Sequence, residues 1–454
     1  MKKSFLKILS VSALSLVLMA CSSKTEKAPK FLQSNDIESS DWQVFEGDRR
    51  TYERVAKIVD LYANRIFNES NARGMAIIVI DNNQALSRYY GETAPGNGKK
   101  PGPNSLIRIA SITKLMTSEI LIKLEQDKKL LITDPLQQYA YHGVNVPDNA
   151  SGQPIRLYHL ASHTSGLPRE QPGGKWGRPV FIWPTQDNRW TWLKTGKLDA
   201  TPGTEASYSN LAYDLLADAM VKASGVSYPQ LFNHYVTSPA KMTNTTYTPN
   251  NAQCARLMEG TKPSPCHNTL AAAGSGGVYS TPADMQKWMQ QFLSTDSNLR
   301  KVTAAREQGI YFPREKLLEI KGMDVAGHAD GLGLGWVYMK PKNGTPGIYQ
   351  KTGGGGGFNT YMAMIPQQNI GVFVVMTRKD NSKFSKLTIG VNELVASLSA
   401  NHAYGKHWRS TAEALQAMAS YTPTLKRGFT RIITLIATTA WDIQAVFDNF
   451  TIHF

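Results

Sequence analysis

The sequence predicts an α/β body with a helical subdomain inserted into it. Three observations carry that expectation. A helical stripe and a strand pair open the folded part of the chain. Four strand-like segments and a helix close it. Between them, residues 130–330 are rich in Pro, Gly and Asn and carry helical patterns. The chain has 454 residues, 41% hydrophobic and 19% charged, enough for one large domain or two smaller ones. Its net charge of +15 is spread along the chain, which favours acidic surfaces or carboxylate substrates and does not select nucleic acid.

Taken in order, the first element is a signal peptide over residues 1–21. "MKKSFLK" is a basic start and "ILSVSALSLVLMA" an apolar run too short for a comfortable membrane span. It ends in "LMAC", which resembles a bacterial lipobox. Cys21 would then be the lipidated first residue of a periplasmic protein held to a membrane by its lipid. Residues 22–45 are polar and read as a tether. Once Cys21 carries lipid, Cys254 and Cys266 are the remaining cysteines, an even pair in an oxidising compartment, and a disulfide between them is expected.

The folded domain is expected over 46–400. Tyr52, Val55, Ile58, Val59, Tyr62 and Ile66 recur at helical spacing. "GMAIIVIDNNQALSRYYGET" (74–93) reads as two strands around an Asp-Asn-Asn turn. An amphipathic helix is expected from Ser111 to about Asp127, with Ile112, Leu115, Met116, Ile120 and Leu124 on one face. "NLAYDLLADAMVKASG" and "TPADMQKWMQQFL" are the clearest helices of the middle. Strands return in "LGLGWVYMK", "GIYQKTG", "FNTYMAMI" and "IGVFVVMT", followed by a helix near 383–399. Residues 401–454 form a C-terminal extension of unknown role. Its apolar run, "GFTRIITLIATTAWDIQAVF", is too interrupted to read as a membrane span.

The most unusual stretch is "QKTGGGGGFNTYMAM", residues 350–364. It is not a phosphate loop, because that motif needs G-x-x-x-x-G-K-[ST] opening a helix. Strand-like sequence on both sides argues against a linker. Glycine within a strand marks a bulge or a close approach of another backbone. Lys-Thr-Gly heading such a strand matches the third motif of serine penicillin-recognising enzymes, which calls for a Ser-x-x-Lys and a polar triplet upstream.

Each of these motifs is weak alone. Ser-x-x-Lys occurs at Ser4, Ser111 and Ser238; Tyr-x-Asn at 62–64 and 208–210; Lys-Thr-Gly at 194–196 and 351–353. Only Ser111 opens a long helix, where Lys114 falls one turn away on the same face. Tyr62 lies on a buried helical stripe, whereas Tyr208 follows a loop and enters a helix. Lys194 has no strand pair around it. Ser111–Lys114, Tyr208–Asn210 and Lys351–Gly353 therefore form one ordered set.

With that set in place, residues 50–400 resemble the serine β-lactamase-like family with a Tyr-x-Asn middle motif, to which class C β-lactamases belong. They resemble more closely its AmpH-type D-alanyl-D-alanine carboxypeptidase/endopeptidase branch. The likeness rests on "RIASITKLMTSE", "LASHTSGLPREQPGG", "RPVFIWPT", "YSNLAYDLLADA", "NTLAAAGSGGVYSTPADM", "GLGLGWVYM" and "QKTGGGGGF". The lipobox and the tail depart from the pattern. The resemblance implies a penicillin-binding-protein-like fold, an antiparallel sheet flanked by helices. It implies Ser111 as nucleophile, with Lys114 or Tyr208 as base. Asn210 would hold the substrate amide, Lys351 and Thr352 would meet the terminal carboxylate of D-alanine, and Gly353 would complete the substrate-binding set. Backbone N–H groups of Ser111 and Gly354 would form the oxyanion hole.

The implied activity is a DD-peptidase acting on peptidoglycan peptides, with β-lactams as covalent inhibitors. A class C-like β-lactamase and a non-hydrolytic penicillin-binding sensor are the alternatives. No cofactor or metal motif occurs, and no G-x-S-x-G elbow. His163 in "ASHTSGL" is expected to be structural. Trp176, Trp183 and Trp190 are candidates for a groove or for packing.

Overall fold

The computed structural model describes residues 49–407, except 83, 149–151, 174–179, 263, 295–297 and 343–344. Cys21, the signal, the tether, Trp176 and residues 408–454 lie outside the described residues. Those described fall within the compact unit Val44–Phe454.

An eight-stranded, wholly antiparallel sheet forms the frame. Its strands are β1 (Ala72–Asp81), β2 (Gln84–Gly91), β3 (Phe312–Pro313), β4 (Gly331–Leu332), β5 (Val337–Met339), β6 (Ile348–Gly355), β7 (Phe358–Ile365) and β8 (Ile370–Arg378). Their spatial order is β2-β1-β8-β7-β6-β5-β4-β3. The N-terminal hairpin thus joins the last strand, and the helical subdomain is inserted between β2 and β3. Asp81 pairs with Gln84 across the hairpin turn, and Asn82 takes φ 52°, a conformation asparagine tolerates.

Both faces of the sheet are covered, so β7 and β8 read as near-continuous apolar runs rather than alternating ones. Helices α1 (Arg49–Ser70) and α5 (Phe384–His407) pack on one face and on each other. Val55, Ile58, Val59, Tyr62 and Ile66 of α1 are all buried. The expected stripe is therefore the packed face. Helix α5 runs past residue 400, so the expected boundary there falls inside a helix.

On the other face, Ala76, Ile78 and Ile80 of β1, Met362 and Met364 of β7 and Phe373 and Val375 of β8 join a large core. That core includes α2 (Thr113–Gln126), α3 (Asn210–Ser224) and α4 (Pro282–Leu293). Helix α2 differs from expectation. Every residue from Thr113 to Leu124 except Lys123 is buried, so it is a central helix rather than an amphipathic one. Cys254 and Cys266 are joined by a disulfide with Cα atoms 5.8 Å apart. No helix among the described residues is long and apolar enough to cross a membrane.

Candidate active site

The nucleophile candidate sits on a strained turn. Ser111 is the middle residue of a 3₁₀ turn, Ala110–Ile112, that leads into α2. Ala110 before it takes φ 49°, a costly value for a residue with a Cβ. Neighbouring bonds hold the turn: Thr360 Oγ1 of β7 donates to Ile109 O at 3.0 Å, and Ile109 N donates to Val278 O at 3.2 Å. A Cβ on Gly353 would lie 2.3 Å from Thr360 Oγ1 and 3.0 Å from Ser111 N. Glycine at 353 is thus what lets β6 close against the Ser111 turn.

The rest of the glycine run has separate causes. A Cβ on Gly355 would strike the Phe181 ring at 2.8 Å, whereas at Gly354 the nearest atom is 3.4 Å away. Gly356 and Gly357, at φ 61° and 85°, make the β6–β7 turn. Most of the glycines therefore make room for the protein itself, and of the strand glycines only Gly354 has ordinary clearance for a Cβ.

Lys114 is fully buried, and its Nζ lies 3.5 Å from Ser111 Oγ. It donates to Asn210 Oδ1 at 2.7 Å and to Ser275 O at 2.5 Å. Burial pushes its pKa down to about 7, against the opposing pull of Asp214 and Glu170. Asp214 is one helical turn after Asn210 on α3 and so faces the same way. Its carboxylate accepts from Gly274 N, Ser275 N and Ser275 Oγ, at 3.0–3.1 Å. It thereby fixes the carbonyl that binds Lys114. Burial raises Asp214 to about 7.

Tyr208 and Asn210 straddle the start of α3. Ser209 between them caps that helix by accepting from Ala212 N. Three cations surround the Tyr208 ring: Lys114 Nζ at 4.8 Å, Lys351 Nζ at 4.8 Å and Arg169 Cζ at 4.9 Å from its centroid. His163 stacks on the same ring at 4.4 Å, and its Nδ1 accepts from Ser209 N at 3.1 Å. Burial and the cations push its pKa well below the usual value, so it is neutral. It positions the Tyr-Ser-Asn segment.

Lys351 on β6 is buried, and burial lowers it to about 8. The register pairs Lys351 with Met362 and Thr352 with Tyr361, whose hydroxyl donates to Asn392 of α5. Lys351 and Gly353 thus occupy the face toward Ser111, and Thr352 the opposite pleat. The β5–β6 ladder ends at Gln350, which leaves the edge of Lys351–Gly355 without a strand partner on that side among the described residues.

Motif reading missed Arg169, Glu170, Asp214 and Ser275. Glu170 Oε1 accepts from Asn210 Nδ2 at 2.6 Å. The one local signal was Asp214 four residues after Asn210. Trp190 is buried and donates to Asp218 Oδ2, and Trp183 packs beside Phe181. Trp190 is therefore a packing residue, whereas Trp183 is half-buried against the cluster of Ala110, Phe181 and Ala272 that adjoins Ser111. No metal-binding cluster occurs among the described residues.

An antiparallel sheet backing a buried lysine, a turn serine, a Tyr-x-Asn helix start and a Lys-Thr-Gly strand defines a class of penicillin-recognising serine enzymes. The chain belongs to the Beta-lactamase family, whose model matches residues 55–396. It is 57% identical over 350 residues to the D-alanyl-D-alanine-carboxypeptidase/endopeptidase AmpH of Escherichia coli (strain K12), spanning 77% of this chain and 91% of that relative. It is 62% identical to the solved Beta-lactamase/D-alanine carboxypeptidase from Yersinia pestis, complexed with citrate. That match has a TM-score of 0.75 and covers 77% of this chain and 99% of the other. A structure of the same description from Pseudomonas syringae has a TM-score of 0.62 at 16% identity, with 75% and 98% covered, which is a likeness of fold.

Proposed function

We propose that the protein is a serine D-alanyl-D-alanine carboxypeptidase, and a DD-endopeptidase, acting on peptidoglycan stem peptides through an acyl-enzyme. The observation that carries this is the buried Lys114 amine, 3.5 Å from Ser111 Oγ, with its pKa lowered to about 7. A lysine in that state is half neutral near pH 7 and can accept a proton. Lys114 is the first base in this reading.

In this reading Lys114 takes the Ser111 hydroxyl proton as Oγ attacks the carbonyl of the penultimate D-alanine. The N–H groups of Ser111 and Gly354 hold the oxyanion. The C–N bond then breaks, and the departing nitrogen takes a proton relayed through Lys114 and Tyr208. Water attacks the ester and gives a proton to the same pair, which passes it to Ser111 Oγ as the C–O bond breaks and the acid leaves. Asn210 holds the acyl amide, and the open edge of β6 pairs with the substrate backbone. Lys351 and Thr352 receive the terminal carboxylate, Thr352 across the strand edge.

Identity of 57% with a carboxypeptidase/endopeptidase supports the peptidase over the β-lactamase alternative. Both make the same ester. In a penicilloyl-enzyme the leaving amine stays tethered and obstructs water, so slow clearance is expected. The test is one preparation given a disaccharide pentapeptide and a penicillin. D-alanine release with a long-lived penicilloyl-enzyme is expected, and Ser111→Ala should lose fluorescent-penicillin labelling. Fast penicillin turnover with no D-alanine released would sink the peptidase reading.

The signal and "LMAC" support a periplasmic lipoprotein anchored through Cys21. Cys21→Ser should move the protein from the membrane fraction to the soluble one. Retention in the membrane would argue for another anchor.

A further inference from the structure

We propose that Glu170 is a subsite for an ammonium group on the acyl half of the substrate; this rests on the peptidase reading above. Glu170 is held rigidly at the site. Ser209 Oγ donates to Pro168 O at 2.7 Å, Asn210 N to Arg169 O at 2.9 Å, and Asn210 Nδ2 to Glu170 Oε1 at 2.6 Å. Three bonds thus clamp residues 168–170 onto the start of α3. A group clamped in this way is preorganised for recognition rather than ordered by it.

Only one of its oxygens is used. Glu170 Oε2 has no hydrogen bond among the described residues, and the side chain is 31% exposed. Arg169 Nε lies 3.9 Å away, but from the already bonded Oε1, and its side chain is 63% exposed. A carboxylate with one oxygen anchored and the other open presents a fixed acceptor for a cation. Burial also raises the Glu170 pKa, a cost that an incoming ammonium would offset.

The surrounding charges give the position its meaning. Lys114, Lys351 and Arg169 all lie within 5 Å of the Tyr208 ring centre. They suit the negative end of a peptide. Glu170 is the acidic group bonded to Asn210, the residue assigned to the acyl amide, so it sits one hydrogen bond from the substrate on the acyl side. An amine on the residue preceding the two D-alanines could reach it.

The test uses full-length protein and Nα-acetyl-Lys-D-Ala-D-Ala with the ε-amine free or acetylated. The wild type is expected to prefer the free amine by about tenfold in kcat/KM, mainly through KM. Glu170→Gln keeps an oxygen for Asn210 Nδ2 and removes the charge, so the preference should fall to about one. A wild type without preference, or a variant that slows both peptides while keeping their ratio, would overturn the subsite. The second outcome would mark Glu170 as a prop for Asn210 alone. If neither peptide releases D-alanine, the peptidase reading fails. The subsite is then read from labelling rates of an amine-bearing penicillin, ampicillin, against benzylpenicillin. A ratio that drops in Glu170→Gln supports it, and an unchanged ratio overturns it.

Discussion

The tripeptide Lys-Thr-Gly occurs twice in this chain with opposite physical character. At 194–196 it follows a short helix, Gln186–Leu193, and Lys194 and Thr195 are exposed. At 351–353 it runs along β6, with Lys351 buried over the Tyr208 ring and Gly353 pressed against the Ser111 turn. Water solvates the first lysine. Desolvation holds the second near its titration point. The three letters carry no chemistry by themselves; strand placement and the loss of water supply it.

The largest effect should separate the two lysines. Lys351→Ala is expected to slow acylation by penicillin on the order of 100-fold, the usual cost of removing one charged donor from such a site. Lys194→Ala should stay within about twofold, as surface changes do. Stopped-flow labelling of both variants decides it, and the reverse order would make 194–196 the working motif.

The glycines sharpen the same contrast through stability. Gly353→Ala must push against Thr360 and the Ser111 backbone and should cost about 1–3 kcal/mol. Gly196→Ala meets the tip of the half-buried Trp192 ring, at 2.9 Å, which can turn aside, and should cost less than about 1 kcal/mol. Equal losses in denaturant unfolding would contradict the packing described for β6.

The smallest effect is a displacement in pH. Only neutral Lys114 can take the serine proton, so acylation should rise with pH through about 7. The negative charge of Asp214 raises the lysine's pKa. Asp214→Asn should therefore move the rising limb to lower pH. A pH profile of penicillin labelling that moves upward, or not at all, would break the link between Asp214 and Lys114.

Legibility in the sequence follows the range of the interaction. The α1 stripe was readable because Val55, Ile58, Val59, Tyr62 and Ile66 satisfy a local period. The all-round burial of α2 was not. Its polar residues find partners far away: Thr117 donates to Gly274 O at 2.9 Å, and Ser118 Oγ meets Tyr213 Oη at 3.1 Å. Such pairs make a polar residue look exposed in sequence and let it be buried in space. Glu170 went unread for the same reason, since its meaning comes from Asn210, forty residues on.

Sequence alone determined the strand and helix periods and the order of the three motifs. Those depend on neighbours a few residues apart and on the regular geometry of helix and strand. Tertiary structure alone decided which groups lost their water. It brought Lys114, Asn210, Ser275 and Asp214 into one buried network and ringed Tyr208 with three cations. It also pressed Gly353 against Ser111. Desolvation and Coulomb forces act through space, and chain separations of about a hundred residues and more become contacts of a few ångströms only when the core closes.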